Sequence, residues 1–179
     1  KKYYKNNKFN NSNCQKINSI KWKNAKFPFN FESQLILEKN NLTIITGPSG
    51  VGKTSLLDSF CGLIYEKSSK WEIQINKESS KLTGDNGSLI LKELIGYTTQ
   101  DTFLFEGSIL ENLFLKNESL IKIKEKNFIY ELFKNLSLQS ILKRPKGYNY
   151  RFNLSKESLS GGETKRFGIA RTILQNKPI

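Results

Sequence analysis

The sequence predicts an α/β fold, and three consecutive segments carry that prediction. Residues 42–46, LTIIT, form a short β-branched run bounded by asparagine and glycine, which is typical of a buried parallel strand. A glycine-rich turn, GPSGVGKTS, follows at residues 47–55. Apolar residues then recur at spacings of three and four, which predicts a helix with one buried face: Leu56, Leu57, Phe60, Leu63 and Ile64.

The flanking segments predict a second, antiparallel sheet and a helical region. Apolar and polar residues alternate from Ile20 to Pro28 and again over residues 71–75, which indicates strands with one solvent-facing side. Residues 94–98, LIGYT, predict another buried strand, and the polar, glycine-containing residues 77–88 predict a loop. Helical periodicity runs from about residue 108 to residue 143, with one apolar stripe: Phe128, Ile129, Leu132, Phe133 and Leu136.

Composition limits the classes of protein that this chain can represent. The 179 residues fit one domain, and no run approaches the roughly 18–20 apolar residues that a membrane-spanning helix needs. The net charge of +13 comes from lysines spread along the chain beside abundant asparagine, which favours general composition over an anionic membrane face or nucleic acid as the explanation. We therefore expect no nucleic-acid partner.

Two local features complete the outline of the domain. Residues 1–18 are polar and aperiodic and predict a basic linker, which leaves residues 19–179 for the folded domain. Cys14 and Cys61 lack metal-ligand spacing, and Cys61 lies in an apolar helical stretch, so we expect it to be a small buried apolar residue.

The glycine-rich turn carries the clearest chemistry. Its spacing, G-x-x-x-x-G-K-[ST], lies between a predicted strand and a predicted helix, where backbone N–H groups can converge on phosphates. Lys53 can neutralise the same phosphates, and the Thr54 hydroxyl can ligate Mg²⁺. The sequence therefore predicts a nucleoside triphosphate site at Gly47, Pro48, Ser49, Gly50, Val51, Gly52, Lys53, Thr54 and Ser55.

A second segment, LSGGETKRFGIARTIL at residues 159–174, resembles the signature motif of ABC ATPases and the helix behind it. Hydroxyl and N–H groups at the start of a helix suit an anion. In that family the motif meets the γ-phosphate that the glycine loop of a second subunit holds in a head-to-tail dimer. The resemblance implies this role for Leu159, Ser160, Gly161, Gly162 and Glu163, where Glu163 replaces the usual glutamine.

A third segment, GYTTQDTFLFEGSILENL at residues 96–113, is similar to the Q-loop region of exporter-type ABC transporters. The match implies that Gln100 senses Mg²⁺ and the attacking water, and so contributes to catalysis with Lys53 and to the metal site with Thr54. The residues after Gln100 are implied to face the coupling helices of a membrane domain.

The opening strand, IKWKNAKFPFN at residues 20–30, is similar to the family segment in which an aromatic residue stacks on adenine. The match implies that Phe29 is the stacking residue. Phe27 and Phe31 are alternatives, and so is a phenylalanine of the core.

These resemblances together imply an ABC ATPase nucleotide-binding domain over residues 19–179. They imply a P-loop NTPase core of the RecA-like type, an antiparallel β subdomain and an inserted α-helical signature subdomain at about residues 102–160. They also imply ATP and Mg²⁺ as ligands, a second ABC ATPase domain as partner, and a transmembrane domain fused upstream. The implied function is ATP-driven export at the cytoplasmic face of the cell membrane. A soluble ABC ATPase and a degenerate ATP-binding regulatory module are the alternatives.

The chain ends at QNKPI, residues 175–179, ahead of the place where the family carries its Mg²⁺-binding aspartate and its general-base glutamate. It also opens on Lys1 rather than methionine. We therefore expect part of a longer protein, with a fold incomplete at the C-terminus. We expect this chain by itself to bind ATP without hydrolysing it.

Overall fold

The structure, a computed structural model, describes residues 17–24, 33–64, 69–75, 78–115, 125–153 and 159–179. The chain divides into two compact units, one of Lys1–Gly96 with Lys177–Ile179 and one of Tyr97–Asn176. Within the described ranges, every helix is too short or too polar to span a membrane.

The first unit contains the antiparallel sheet that the alternating segments predict. Its strands, in the order β2-β1-β3-β4, are β1 (Ile17–Asn24), β2 (Ser33–Glu38), β3 (Lys70–Ile75) and β4 (Glu78–Thr83). Ile20 and Trp22 on β1, and Trp71 and Ile73 on β3, are buried, whereas the residues between them face solvent or are half-buried. The predicted one-sided strands are therefore confirmed.

Strand β1 begins at Ile17, inside the segment 1–18 that the sequence assigns to the linker. Ile17 is buried although strict alternation from Ile20 would turn it outwards. A register shift between Ile17 and Ser19 explains this, because a bulge moves the residues beyond it to the opposite face of the strand. The sequence boundary is too late because simple alternation does not detect a bulge.

The helix after the glycine-rich turn, α1, runs from Lys53 to Phe60. It ends earlier than the predicted stripe through Leu63 and Ile64, and both of those side chains are exposed. The Leu63 N–H donates to the Asp58 carbonyl at 2.8 Å and the Gly62 N–H to the Ser59 carbonyl at 3.1 Å, with φ of 70° at Gly62. This is a Schellman ending, which stops the helix by satisfying its last carbonyl groups.

Cys61 caps this helix and is buried, as the sequence predicts. Burial, with a smaller contribution from the charge of Asp58, raises the pKa of the Cys61 thiol to about 12. Since the thiolate is the reactive form, the folded protein protects this cysteine from alkylation.

We expect maleimide at pH 8 to label Cys61 roughly a thousandfold more slowly in the folded protein than in denaturant, because the thiolate fraction falls tenfold for each unit of pKa. Peptide mass spectrometry after timed labelling separates Cys61 from Cys14. Equal rates for Cys61 in the two conditions would contradict the burial seen here.

The two predicted parallel strands are not formed by the described residues. Residues 41–48 have no regular structure, and Leu42 and Ile44 are 87% and 72% exposed. The prediction for residues 42–46 is wrong because an extended segment becomes a strand only beside a neighbour that accepts its hydrogen bonds, and no described strand lies there.

Residues 94–98 also lack a strand, although part of the expected pairing is present. The Gly96 N–H donates to the Ile179 carbonyl at 2.6 Å, and the Ile179 N–H donates to the Leu94 carbonyl at 3.2 Å. Two bonds that alternate in this way across Ile95 have the pattern of a parallel pair. Ile95 is buried at this point.

The predicted loop at residues 77–88 is also wrong. Strand β4 pairs with β3 there, and helix α2 (Gly84–Leu94) begins directly after it. Of the glycines that suggest a loop, Gly87 has a packing role, because a Cβ atom on it would lie 3.0 Å from Cε3 of Trp71. Composition alone does not distinguish this close approach from a turn.

The second unit is helical. It contains α3 (Ile109–Phe114), α4 (Glu125–Asn135), α5 (Gln139–Leu142), a short 3₁₀ turn (Gly147–Asn149) and α6 (Gly161–Leu174). Ile129, Leu132 and Phe133 enter its core with Phe152 and Phe167, which confirms most of the predicted stripe. Phe128 is instead 55% exposed, because it lies at the edge of the buried face of α4.

Candidate functional site

The glycine-rich turn has the backbone that its sequence predicts. Gly47, Gly50 and Gly52 have φ angles of 153°, 78° and 95°, which other residues rarely adopt. A Cβ atom on Gly47 would lie 3.3 Å from Cγ1 of Val51, so the loop is also tightly folded at its start. Helix α1 begins at its end with no side-chain cap and no acidic residue in its first turn. A helix start of this kind accepts an anion.

Lys53, the first residue of α1, closes this loop. Its Nζ donates to the carbonyl oxygens of Gly47 at 2.9 Å and of Pro48 at 2.7 Å. An ammonium group has three donors, so one remains for a further acceptor, and the two carbonyl bonds hold the charge over the loop. Lys53 thus joins the first two residues of the loop, Gly47 and Pro48, to the start of α1.

A triphosphate with Mg²⁺ fits the donors present here. Thr54 is exposed at the start of α1, where its hydroxyl can be one magnesium ligand beside phosphate oxygens. In the part of the chain that the structure describes, no cluster of three His, Cys, Asp or Glu residues could hold a metal by itself.

The signature segment forms the start of α6 in the second unit. Ser160 is its N-cap, and its Oγ accepts from the Glu163 N–H at 3.2 Å. Glu163 returns the contact, since its Oε2 accepts from the Ser160 N–H at 2.9 Å. This reciprocal capping box leaves Ser160, Gly161 and Gly162 exposed, whereas Leu159 is buried.

The surroundings of Glu163 keep its side chain in the charged carboxylate form. The backbone N–H of Ser160 holds the pKa of the Glu163 carboxyl below its ordinary value, and hydroxyl contacts from Ser160 and Ser140 act in the same direction. Glu163 is therefore ionised at neutral pH, and its cap is lost as the pH falls through its lowered pKa.

Gln100 is exposed in the second unit, in a bend that the Thr99 hydroxyl supports by donating to the Asp101 carbonyl at 2.6 Å. Phe29 lies outside the described residues, and so do its alternatives Phe27 and Phe31.

Sequence reasoning missed the residues that hold the segment after Gln100. The Asn112 amide accepts from the Phe105 N–H and donates to the Phe105 carbonyl, both at 3.0 Å, from a fully buried position. Arg171 on α6 donates to the carbonyls of Asn112 at 2.8 Å and Phe103 at 2.9 Å. The Arg171 bonds join residues 59 and 68 positions apart, and an arginine on a helix gives no sequence signal for such partners. Asn112 lies in the segment that resembles the Q-loop region, but its bonds to Phe105 do not follow from that resemblance.

Comparison with known proteins decides the family. The family model described as ABC transporter matches residues 32–179, most of the chain. The chain belongs to the ABC transporter family. Its ATP-binding character follows from the same match, and a P-loop NTPase fold is implied by it.

Named relatives agree with this assignment. The Pediocin PA-1 transport/processing ATP-binding protein PedD of Pediococcus acidilactici is 34% identical over 78% of this chain and 20% of its own length. A probable ABC transporter ATP-binding/permease protein of Haemophilus influenzae is 32% identical over 91% of this chain and 29% of its own length. The thiamine import ATP-binding protein ThiQ of Aliivibrio fischeri is 29% identical over 83% of this chain and 58% of its own length. This chain of the ABC transporter family thus spans less than a third of the length of each of the first two relatives.

Proposed function

We propose that this chain is the nucleotide-binding part of an ABC transporter that binds MgATP at the glycine loop and couples ATP hydrolysis to export. One observation carries the nucleotide assignment. Lys53 is bonded to the carbonyls of Gly47 and Pro48 at the start of α1, where no side chain caps the helix, so a cation and a helix N-terminus lie in the same loop.

In this proposal the site residues bind the phosphates, the metal ion, the attacking water and the adenine. The loop from Gly47 to Ser55 holds the phosphates, Thr54 ligates Mg²⁺, and Gln100 orients the attacking water and contacts the metal. Phe29 stacks on adenine. Mg²⁺ neutralises charge on the phosphates when it is bound.

In this proposal one domain alone does not complete a nucleotide site, so a second ABC ATPase domain is its partner. Leu159 to Glu163 meet the nucleotide of a second ABC ATPase domain, so two domains close head to tail around two ATP molecules. The helical signature subdomain, at about residues 102–160, delivers this segment. A transmembrane domain, fused upstream, is contacted by the residues after Gln100, which places the domain at the cytoplasmic face of the cell membrane.

Two observations support export. The string QDTFLF at residues 100–105 is similar to that of exporters, and two relatives from Escherichia coli are named as secretion/processing ATP-binding proteins, for microcin-H47 and colicin V. One relative is named as an import protein, so the direction of transport needs its own test. With the full-length protein in membrane vesicles, ATP is supplied on one side only, and the test measures whether cargo moves towards that side or away from it.

The nucleotide proposal predicts a magnesium-dependent ATP site. In the full-length protein we expect ATP affinity to fall at least about tenfold when EDTA removes Mg²⁺, because the ion screens the phosphates that crowd the loop. Equilibrium binding of a fluorescent ATP analogue measures this. Binding that is indifferent to Mg²⁺, or no binding at all, would contradict the proposal.

A further inference from the structure

The Ser160 hydroxyl is already engaged at the exposed start of α6. Besides accepting from the Glu163 N–H, this Oγ lies 3.0 Å from Oε2 of Glu163, within reach to donate its only proton. The carboxylate has no proton to give, so it can only accept. A hydroxyl that donates to a carboxylate is withheld from any other acceptor, and hydrogen bonds to charged groups are about twice as strong as neutral ones.

The second Glu163 oxygen is also held in place. Its Oε1 accepts from the Ser140 hydroxyl at 3.2 Å, so a residue of α5 fixes the carboxylate against α6. The negative charge is therefore not carried by a side chain that swings freely. It is positioned beside Ser160 and one residue from Gly162.

A second capping box in this unit shows what is particular about Glu163. At the start of α3, Glu111 makes the same reciprocal contacts with Ser108, at 2.8 and 3.1 Å. Glu111 also forms an ion pair with Arg151 at 3.2 Å, and Ser108 is fully buried. Among the described residues, no cation lies within ion-pair distance of Glu163, and its box is exposed. Within the described part of the chain, the charge of Glu163 is therefore not neutralised by a direct ion pair.

We infer that Glu163 is a positioning residue that weakens the closure of two ATP-bound domains, because its carboxylate withholds the Ser160 hydroxyl from the partner's nucleotide and repels its phosphates. This inference rests on the proposed function, in which the signature segment meets a nucleotide in trans. Glutamine at this position keeps the cap, since its amide oxygen can accept from the Ser160 N–H. The same oxygen can accept from the Ser160 hydroxyl, but as a neutral acceptor it holds that hydroxyl about half as strongly and does not repel phosphates.

The cations near this helix start determine what remains when the charge is removed. Arg144 acts on Glu163 at longer range, and Nη1 of Arg166 lies 3.2 Å from the position of a Cβ atom on Gly162. With glutamine at position 163, the Arg166 charge and the helix N-terminus remain without an opposing carboxylate. Both favour a phosphate.

The test is the ATP-dependent dimerisation of the full-length protein with Glu163→Gln. One unit charge several ångströms from the phosphates at the protein surface changes each composite site on the order of tenfold. We therefore expect the dimer that closes on two ATP molecules to be roughly a hundredfold tighter in the variant. Distance measurements between labels on the two ATP-binding domains, titrated with MgATP, report this closure even where fused membrane domains already hold the subunits together. ATP binding to the separated domains should be unchanged, because the signature acts only in trans.

Glu111→Gln is the matched control. It removes the same charge from the same kind of capping box, so a general effect of net charge or helix capping would appear in it too. We expect its dimerisation to match that of the unaltered protein. Equal dimerisation in Glu163→Gln and the unaltered protein, or an equal gain in Glu111→Gln, would overturn the inference.

The double variant Ser160→Ala with Glu163→Gln separates the hydroxyl from the charge. We expect it to keep part of the gain, since repulsion is relieved but the hydroxyl donor is lost. If it gains as much as Glu163→Gln, the hydroxyl has no role and that half of the inference is wrong. Absence of ATP binding in every form would instead refute the proposed function, which the binding measurement reports independently.

Discussion

Replacing Lys53 with alanine is expected to weaken MgATP binding by at least about a hundredfold and to abolish ATP-dependent dimerisation. The substitution removes the cation that the Gly47 and Pro48 carbonyls hold over the loop. Truncating a hydrogen-bonded charge that a ligand requires costs about 3 kcal/mol or more, which corresponds to this factor. The loop also loses the two bonds that join its beginning to the start of α1.

Fluorescent ATP binding to the full-length protein measures this effect, with Lys81→Ala as control. Lys81 is an exposed lysine on β4, and replacing it with alanine removes the same charge at a site outside the glycine loop. Lys53→Arg is a second comparison, and we expect it to be impaired too because a planar guanidinium does not reproduce the compact ammonium between two carbonyls. Normal affinity in Lys53→Ala, with hydrolysis intact, would remove the basis of the proposed function.

The parts of this molecule that the sequence predicts best depend on local chemistry. The glycines of the loop, the helix that starts at Lys53 and the one-sided strand β3 follow from residues close together in the chain. The backbone angles at Gly47, Gly50 and Gly52 confirm the conformations that the spacing predicts, because few other residues adopt them. Patterns of this kind need no knowledge of distant partners.

Several of the errors involve partners outside the mispredicted segment, whereas the early end of α1 comes from a local turn at Gly62. Residues 42–46 have the composition of a buried strand, yet strand formation requires a neighbour that composition does not reveal. In the segment predicted as a loop, residues 78–83 pair with β3, and Gly87 approaches a tryptophan ring. The Glu163 contact to Ser140, on another helix, is likewise invisible in the sequence, although the capping box itself follows the S-x-x-E pattern.

The largest effect on stability is expected at Trp71, which links the antiparallel sheet to helix α1. The side chain is 1% exposed, lies between Trp22 and Leu82 in the sheet register and packs against Gly87. Its indole Nε1 donates to the Phe60 carbonyl at 2.9 Å. Phe60 is the last residue of α1, whose final carbonyls have no partner within the helix.

Trp71→Ala should therefore lower the free energy of unfolding by about 4 kcal/mol, since it opens a large cavity and leaves the Phe60 carbonyl without its donor. Urea unfolding followed by far-ultraviolet circular dichroism measures the change. Trp71→Phe is the matched control, because it keeps most of the ring but removes the indole N–H. We expect it to cost about 1–2 kcal/mol. Equal losses in the two variants would show that ring volume contributes little here.

The same pair of variants tests whether the sheet supports the glycine loop through α1. If the bond from Trp71 to Phe60 fixes the end of this eight-residue helix, then both variants should weaken ATP binding beyond what partial unfolding explains. Binding is measured at urea concentrations where each variant remains folded. Unchanged affinity in folded Trp71→Phe would confine the role of Trp71 to the core. A loss of affinity would instead mean that the glycine loop, at the start of α1, is positioned in part by a hydrogen bond at the end of that helix.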